Sequence, residues 1–374
     1  MMRILIAEDS TTVQRTLVSL LAQEPGIEIV GIANNGLEAV AQCHRLKPDL
    51  ITMDIFMPQM NGLEATRTIM AECPTRIVII SSMVGSRNIT LAFDAMRAGA
   101  VEIIEKPGGV LTGNYAEVKK TLLNVIQKAR ASRPTAQLSW LPPPASSLPP
   151  APLPKLSTPA ANAHRHQRPP SGTEKFRLEK FPTSLICIGG STGAPTVIME
   201  ILAQLPADFS LPIVIAQHIS RGFAKGMTAW LDNACALPIR LASPDERPAK
   251  GTVLVAPDDC HTAFNDDGRL LFRAARNDGH IPSIDGLFET AARTFRAKAA
   301  GILLSGMGKD GANGLLQMRT QGGLTICQSE ATSVVYGMPR VAKELGAAHL
   351  VLSPHEIATT LLQLDQITRR QRAQ

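Results

Sequence analysis

The sequence is short of aromatic residues, of cysteine and of long apolar runs, and each shortage excludes something. Phe, Trp and Tyr make up 4% of the 374 residues. With so few rings and a net charge of only +6, nothing specific points to nucleic acid, whose binding grooves interleave basic side chains with stacking platforms. Much of the basic excess lies in the middle of the chain and in the tail Thr368-Arg369-Arg370-Gln371-Arg372. The six cysteines, Cys43, Cys73, Cys187, Cys235, Cys260 and Cys327, form no C-x-x-C pair, which removes the common zinc and dithiol spacings. Cys187 and Cys327 sit inside apolar runs and read as core thiols. No apolar run approaches the roughly 20 residues of a membrane span. Glu8 and Asp9 follow the opening strand too soon for a signal peptide, so a cytoplasmic protein is expected, not embedded in a membrane. What is present is a soluble balance, 44% hydrophobic and 19% charged, over a length sufficient for two domains.

The first 125 residues alternate strand and helix periods. Arg3 to Ala7 is apolar and ends in Glu8-Asp9; Asp49 to Thr52 delivers Asp54; Arg76 to Ile80 ends in Ser81; Val101 to Glu105 ends in Lys106-Pro107. Such alternation predicts a parallel sheet with crossover helices, whose site lies beyond the carboxyl ends of the strands. Glu8, Asp9 and Asp54 should therefore converge, and unpaired they would repel. A hard cation with oxygen ligands removes the conflict, and Mg²⁺ fits that ligand set. Ser81 and Lys106 would supply the hydroxyl and ammonium that a phosphoryl group needs beside it. The plainer alternative is a solvated acidic cluster with a surface lysine. These motifs, with Met53-Asp54-Ile55-Phe56-Met57-Pro58 and Asn61-Gly62, resemble the receiver domain of two-component response regulators. The resemblance implies a flavodoxin-like fold and Asp54 as acceptor of phosphate from a histidine kinase. It also implies Glu8, Asp9 and the Phe56 backbone carbonyl as Mg²⁺ partners, with Ser81 and Lys106 sensing the phosphoryl group. Ile103 stands where many receivers carry an aromatic switch residue.

Residues 126–180 are expected to hold the end of a helix and a tether. Eleven of the 27 prolines fall between Pro134 and Pro170, which forbids a helix or an interior strand there and favours extended chain. His164 and His166, in a basic tract, read as solvated rather than metal-binding.

The stretch Leu185-Ile-Cys-Ile-Gly-Gly-Ser-Thr-Gly-Ala-Pro195 opens the second half. An apolar strand runs into glycines that bracket Ser191, and a helix follows, so the hydroxyl stands at a strand-to-helix turn. A Gly-rich turn gripping a phosphate is the other reading of that pattern. Leu211 to Ala216 leads to Gln217-His218, and Gly301 to Leu304 leads to Ser305-Gly306-Met307-Gly308-Lys309-Asp310. Ser191, His218 and Asp310 each follow a strand, which puts them at one rim. A nucleophile, a base with a pKa near neutrality and an orienting carboxylate make a hydrolytic triad. The Met307 backbone N–H is a candidate oxyanion donor. Taken singly, His218 could be a structural histidine, Asp310 the N-cap of the helix that follows it, and His261 a surface residue.

Pro282-Ser283-Ile284-Asp285, Leu304 to Gly311 and Glu330 to Pro339, with the motifs at Ser191 and His218, resemble the chemotaxis protein-glutamate methylesterase family over about residues 182–370. The resemblance implies a Rossmann-like serine hydrolase at 181–370, ahead of a basic tail at 371–374, and hence two doubly wound parallel-sheet domains joined by the Pro-rich linker. It implies hydrolysis of glutamate methyl esters on methyl-accepting chemoreceptors with release of methanol, deamidation of receptor glutamines, and action at receptor arrays. No cofactor is expected for hydrolysis. The rival reading is a response regulator that acts by binding receptors or kinase and competing for phosphate, or one serving a non-chemotactic array.

Overall fold

The computed structural model describes residues 1–81, 86–107, 115–132, 176–274 and 280–373. The Pro-rich stretch expected to be a tether, with His164 and His166, lies outside the described residues. The N-terminal domain runs β1 (Met2–Ala7), α1 (Thr11–Leu21), β2 (Ile27–Ala33), α2 (Gly36–Leu46), β3 (Leu50–Asp54), α3 (Gly62–Glu72), β4 (Arg76–Ser81), α4 (Ser86–Arg97), β5 (Glu102–Glu105) and α5 (Tyr115–Ala131). Its strands form one parallel sheet in the order β2-β1-β3-β4-β5, the flavodoxin-like order. Every residue of β3 is buried, as a central strand covered on both faces requires. Asn61 starts α3 with a reciprocal capping box to Glu64. A Cβ on Gly62 would lie 1.9 Å from the Asp54 carbonyl oxygen, so only glycine lets this helix start press against the strand end that carries Asp54.

The C-terminal domain runs β6 (Leu185–Gly190), α6 (Ala194–Leu202), β7 (Ile213–Gln217), α7 (Ala224–Ala234), β8 (Ile239–Leu241), β9 (Val253–Val255), β10 (Cys260–Phe264), β11 (Leu270–Ala274), α8 (Ile284–Phe295), β12 (Ala299–Leu303), α9 (Ala312–Thr320), β13 (Thr325–Gln328), α10 (Met338–Glu344), β14 (Leu350–Leu352) and α11 (Pro354–Ala373). Seven strands form a parallel sheet in the order β14-β13-β12-β6-β7-β9-β8. The chain winds outward from β6 through β7 to β9 and β8, then returns to β12 on the other side of β6. The order therefore reverses between β6 and β12, and loops leaving those two strands part to form a crevice. Helices α6 and α8 cover the sheet with residues such as Val197, Ile198, Ile201, Leu287 and Phe288, all fully buried, each stabilising the fold by about 1.5–3 kcal/mol relative to exposure.

Three details differ from the sequence reading. Strand β8 is only three residues long, too short for a period to show. Strand β10 opens with Cys260-His261-Thr262 and pairs antiparallel with β11, so a polar start hid one arm of the hairpin. Helix α11 continues through 371–373, so the basic end extends this helix instead of following it as a separate tail.

The domains touch through α4 and α7. The Phe93 ring stacks on Trp230 with centroids 5.4 Å apart, and the Trp230 indole N–H donates to Asp94 Oδ1 at 3.1 Å. Val334 and Val335, from the loop before α10, share one buried apolar cluster with Ile80, Val101 and Ile104 of the N-terminal domain.

Candidate active site

The crevice between β6 and β12 holds the three residues expected at the rim. Ser191 follows β6 and is 1% exposed; His218 follows β7 and is 5% exposed. Backbone bonds fix both turns. The Ser191 N–H donates to Ser305 O at 3.0 Å, and the His218 N–H donates to Gly190 O at 2.9 Å. The Gln217 side-chain amide then clamps the two turns together, donating to Ser191 O at 2.8 Å and to His218 O at 2.9 Å. A Cβ on Gly306 would lie 2.6 Å from the Ser191 Cβ. Its absence brings the Gly306–Met307 peptide, whose N–H is the expected oxyanion donor, up to the serine.

Asp310 Oδ2 lies 2.8 Å from His218 Nε2 and also accepts the Ile284 N–H at 2.9 Å. Its Oδ1 accepts the N–H groups of Asp285 at 2.9 Å and Gly311 at 3.0 Å. The carboxylate thus caps the N-terminus of α8 and meets the positive end of that helix dipole, while the N-cap of α9, the helix that follows in sequence, is Gly311. Burial pushes the Asp310 carboxyl up, but the hydrogen bond and charge of His218, with the two α8 N–H groups, bring its pKa below the ordinary value. Ionised, it holds His218 by Nε2 and leaves Nδ1 free for another partner, the reverse of the nitrogen usage in chymotrypsin-type triads. His218 Nδ1 and Ser191 Oγ are both buried without a hydrogen-bond partner. They make no bond to each other in this closed arrangement; catalytic contacts of this kind often tighten only with substrate bound.

One neighbour escaped the sequence reading and another was misplaced by it. The His280 ring lies 4.6 Å from that of His218, tilted by 34°. Desolvation of the ring and then the charge of His218 hold its pKa below the ordinary value. His261, expected at the surface, is half-buried and accepts the Ser283 N–H on Nδ1 at 3.0 Å, fixing the turn that starts α8. His280 is a single residue in a loop with no period around it, and nothing in the sequence singles it out.

At the rim of the N-terminal sheet, Glu8, Asp9 and Asp54 bring carboxylate oxygens within 4.8 Å of one another. Glu8 and Asp54 are each 1% exposed, and Asp9 is exposed. Lys106 Nζ lies 3.0 Å from Glu8 Oε1 and 2.8 Å from Asp54 Oδ2. Burial raises the pKa of Asp54 against the opposing pull of Lys106. Burial and then the charge of Asp54 raise that of Glu8. Burial alone would lower Lys106, but its bonds to Asp54 and Glu8 raise it overall. One ammonium does not satisfy this set: Glu8 Oε2 and Asp54 Oδ1 are buried without a hydrogen-bond partner. Such an oxygen-only, under-neutralised cradle fits Mg²⁺. The Ser81 hydroxyl, at the end of the adjacent strand β4, is also buried and unpartnered. Phe56 is 42% exposed just beyond Asp54.

One hydrogen bond joins the two domains beside the serine. Thr192 Oγ1, the residue after Ser191, donates to Glu102 Oε2 on β5 at 2.7 Å, and both residues are buried. The Ser220 hydroxyl donates to the Ile103 carbonyl at 3.4 Å nearby. The N-terminal domain therefore lies over the Ser191 turn.

A family described as CheB methylesterase matches residues 186–361, and one described as response regulator receiver domain matches residues 4–111. The protein-glutamate methylesterase/protein-glutamine glutaminase 4 of Myxococcus xanthus is 37% identical over 361 residues, covering 96% of each chain. The corresponding protein 1 of Syntrophus aciditrophicus is 38% identical, covering 97% of this chain and 98% of that one. The crystal structure of the catalytic domain of Thermotoga maritima CheB methylesterase overlaps 49% of this chain and 98% of that chain, at 33% identity and a TM-score of 0.47. With relatives of this identity spanning nearly its whole length, the chain belongs to the protein-glutamate methylesterase/protein-glutamine glutaminase family, with a response-regulator receiver domain ahead of its catalytic domain.

Proposed function

We propose that the C-terminal domain hydrolyses glutamyl methyl esters on chemoreceptor proteins, and deamidates their glutamines, under the control of phosphorylation at Asp54. The observation that carries this reading is the Asp310–His218 bond, which leaves His218 Nδ1 and Ser191 Oγ buried and unpartnered at the rim. In the first step Ser191 Oγ attacks the ester carbonyl carbon while its proton passes to His218 Nδ1. Asp310 stabilises the imidazolium. The tetrahedral oxyanion faces the Met307 N–H. Collapse breaks the C–O bond, and methanol leaves with the proton from His218; an amide would release ammonia by the same route. Water, deprotonated by His218, then cleaves the acyl-serine and leaves a glutamate.

In the receiver, Asp54 takes the phosphoryl group of a histidine kinase. Glu8, Asp9, Asp54 and the Phe56 carbonyl would hold Mg²⁺, which supplies charge neutralisation on the phosphoryl oxygens. Lys106 and Ser81 close on the new anion. Lys106 now spends its ammonium on Glu8 and Asp54, so its movement shifts the end of β5, the strand that carries Glu102. That shift releases Thr192 and uncovers Ser191. No helix among the described residues is long and apolar enough to cross a membrane.

The test is methanol release from receptor preparations carrying glutamyl methyl esters, with and without a small phosphodonor. Wild type is expected to respond to the phosphodonor, and Ser191→Ala to lose at least about three orders of magnitude. A Ser191→Ala protein of near wild-type activity would remove the hydrolytic assignment and favour a binding role.

A further inference from the structure

Ser191 and His218 directly follow strands, but Asp310 stands well beyond the end of β12, on the loop that leads to α9. That loop is soft. Gly308 and Gly311 both take positive φ, 96° and 87°, where glycine alone moves freely. The bearing of Asp310 on His218 therefore depends on how the loop is anchored. One anchor is the Gly306 N–H, which donates to Val335 O at 3.0 Å. The other is the start of α9. Gly311 is the N-cap there and has no side chain to cap with. The first bond inside the helix runs from the Leu315 N–H to Gly311 O at 3.0 Å. The N–H of Gly314, a buried residue of the first turn, is thus left over.

Asp285 takes it, with Oδ1 accepting the Gly314 N–H at 2.7 Å. The exchange is reciprocal. Asp310, ahead of α9, accepts the Ile284 and Asp285 N–H groups that open α8, and Asp285, in the first turn of α8, accepts the N–H that α9 leaves over. Glycine lets the two helix starts meet: a Cβ on Gly314 would lie 2.8 Å from Asp285 O, and one on Gly311 would lie 2.6 Å from Ile284 Cγ2. The arrangement also sets two carboxyl groups near each other. Burial raises the Asp285 pKa above the ordinary value, the Gly314 N–H opposes the rise, and the charge of Asp310 adds to it.

Capping α9 from α8 carries this repulsion, and what it secures is the place of Asp310. We propose that Asp285 is a positioning residue for the triad: by holding the start of α9 against the start of α8, it keeps the Asp310 carboxylate at hydrogen-bond distance from His218 Nε2, where the two lie 2.8 Å apart. Asp285 acts through Asp310, as the outer support of a group that must be held within a fraction of an ångström. The proposal rests on the hydrolytic reading above and names a residue on which its geometry depends.

Three variants of the full-length protein separate positioning from capping. Asp285→Ala leaves the Gly314 N–H without an acceptor. Asp285→Asn keeps an acceptor oxygen there. Ser283→Ala removes a different cap from the same helix start, the Ser283 Oγ that accepts the Gly286 N–H at 3.0 Å, and leaves α9 alone. Asp285→Ala and Ser283→Ala should both melt earlier, as the loss of a cap requires. With phosphodonor and receptor preparations carrying glutamyl methyl esters, Asp285→Ala is expected to lose between about tenfold and a hundredfold in kcat with KM unchanged, as a displaced catalytic group does. Asp285→Asn should recover most of that loss, and Ser283→Ala should keep the wild-type kcat. The deciding readout is the downfield proton resonance of His218 Nε2–H in its bond to Asp310, assigned by its loss in His218→Gln. It should move in Asp285→Ala and hold its place in Ser283→Ala. An unmoved resonance in Asp285→Ala would overturn the proposal, as would an equal displacement in Ser283→Ala. No methanol from the wild type would sink the hydrolytic reading instead, and the resonance would still decide whether Asp285 places Asp310.

Discussion

The two sheet rims obey one topological rule and end in opposite electrostatic states. At the receiver rim the atoms left unsatisfied include two anionic ones, Glu8 Oε2 and Asp54 Oδ1, buried and short of positive charge, beside the neutral Ser81 hydroxyl. At the catalytic rim the only carboxylate of the triad is fully engaged by four donors on its two oxygens. The atoms left over there are Ser191 Oγ, His218 Nδ1 and the Gln217 amide Oε1. Unsatisfied anions call in a cation and an exchangeable phosphoryl group. An unsatisfied hydroxyl and imidazole nitrogen call in a reaction that moves a proton. The position of a strand end says where chemistry happens, and the inventory of unmet lone pairs and donors says which kind.

The comparison breaks first at Asp310. Asp310→Asn presents one acceptor oxygen where the carboxylate offered two, so it cannot serve His218, Ile284 and Asp285 together. A loss of at least about two orders of magnitude in kcat is expected. A buried donor left unpaired costs about 1–3 kcal/mol, so the melting temperature should fall as well. Full activity with normal stability would show that the four donors do not depend on the charge.

Chelation separates the rims next. EDTA should remove the response to a phosphodonor, because the acidic cradle needs its cation, and should leave the unstimulated rate alone. An unstimulated rate abolished by EDTA and regained with zinc would contradict this account of the catalytic rim.

Glu102→Ala tests the contact between the rims. Hydrogen bonds to a charged group contribute about 1.5–3 kcal/mol, but other contacts share the docking. We expect the unphosphorylated rate to rise several-fold, read as methanol release without phosphodonor. No change would place the restraint elsewhere, in the Phe93–Trp230 contact.

The smallest effect sharpens the contrast with a third carboxylate. Glu200 on α6 has neither cation nor donor on its buried Oε2, and burial raises its pKa from 4.5 to about 7. Between those values the folded chain keeps a proton that the unfolded chain has released, so folding stability falls as pH rises through that window. Glu200→Gln should flatten that part of the profile, with a gain at pH 8 that is absent near pH 4. Parallel denaturation midpoints for the two proteins at all pH values would show that Glu200 remains solvated.

Much of this was legible in the sequence, for a local reason. Ser191, His218, Asp310, Asp54 and Lys106 each follow an apolar run, and a run that ends in chemistry marks a strand end. What could not be read was through-space. Glu102 and Thr192 are 90 residues apart, and Glu102 sits on β5 with no motif around it. Asp310 precedes one helix and caps another, because α8 and the loop after β12 meet only once the sheet order is set. The strand order itself, with its reversal between β6 and β12, is not contained in the alternation of periods.

The Glu102–Thr192 bond also carries information backwards. If a phosphoryl group at Asp54 loosens that bond, thermodynamic reciprocity requires a ligand seated on the Ser191 rim to favour the phosphoryl-like state of the receiver by the same factor. A receptor segment waiting for hydrolysis is then an effector as well as a substrate: it tightens the receiver's hold on a phosphoryl mimic. Beryllofluoride titrations with and without a saturating product peptide measure that factor, and identical affinities would mean that the two rims are tethered but not coupled.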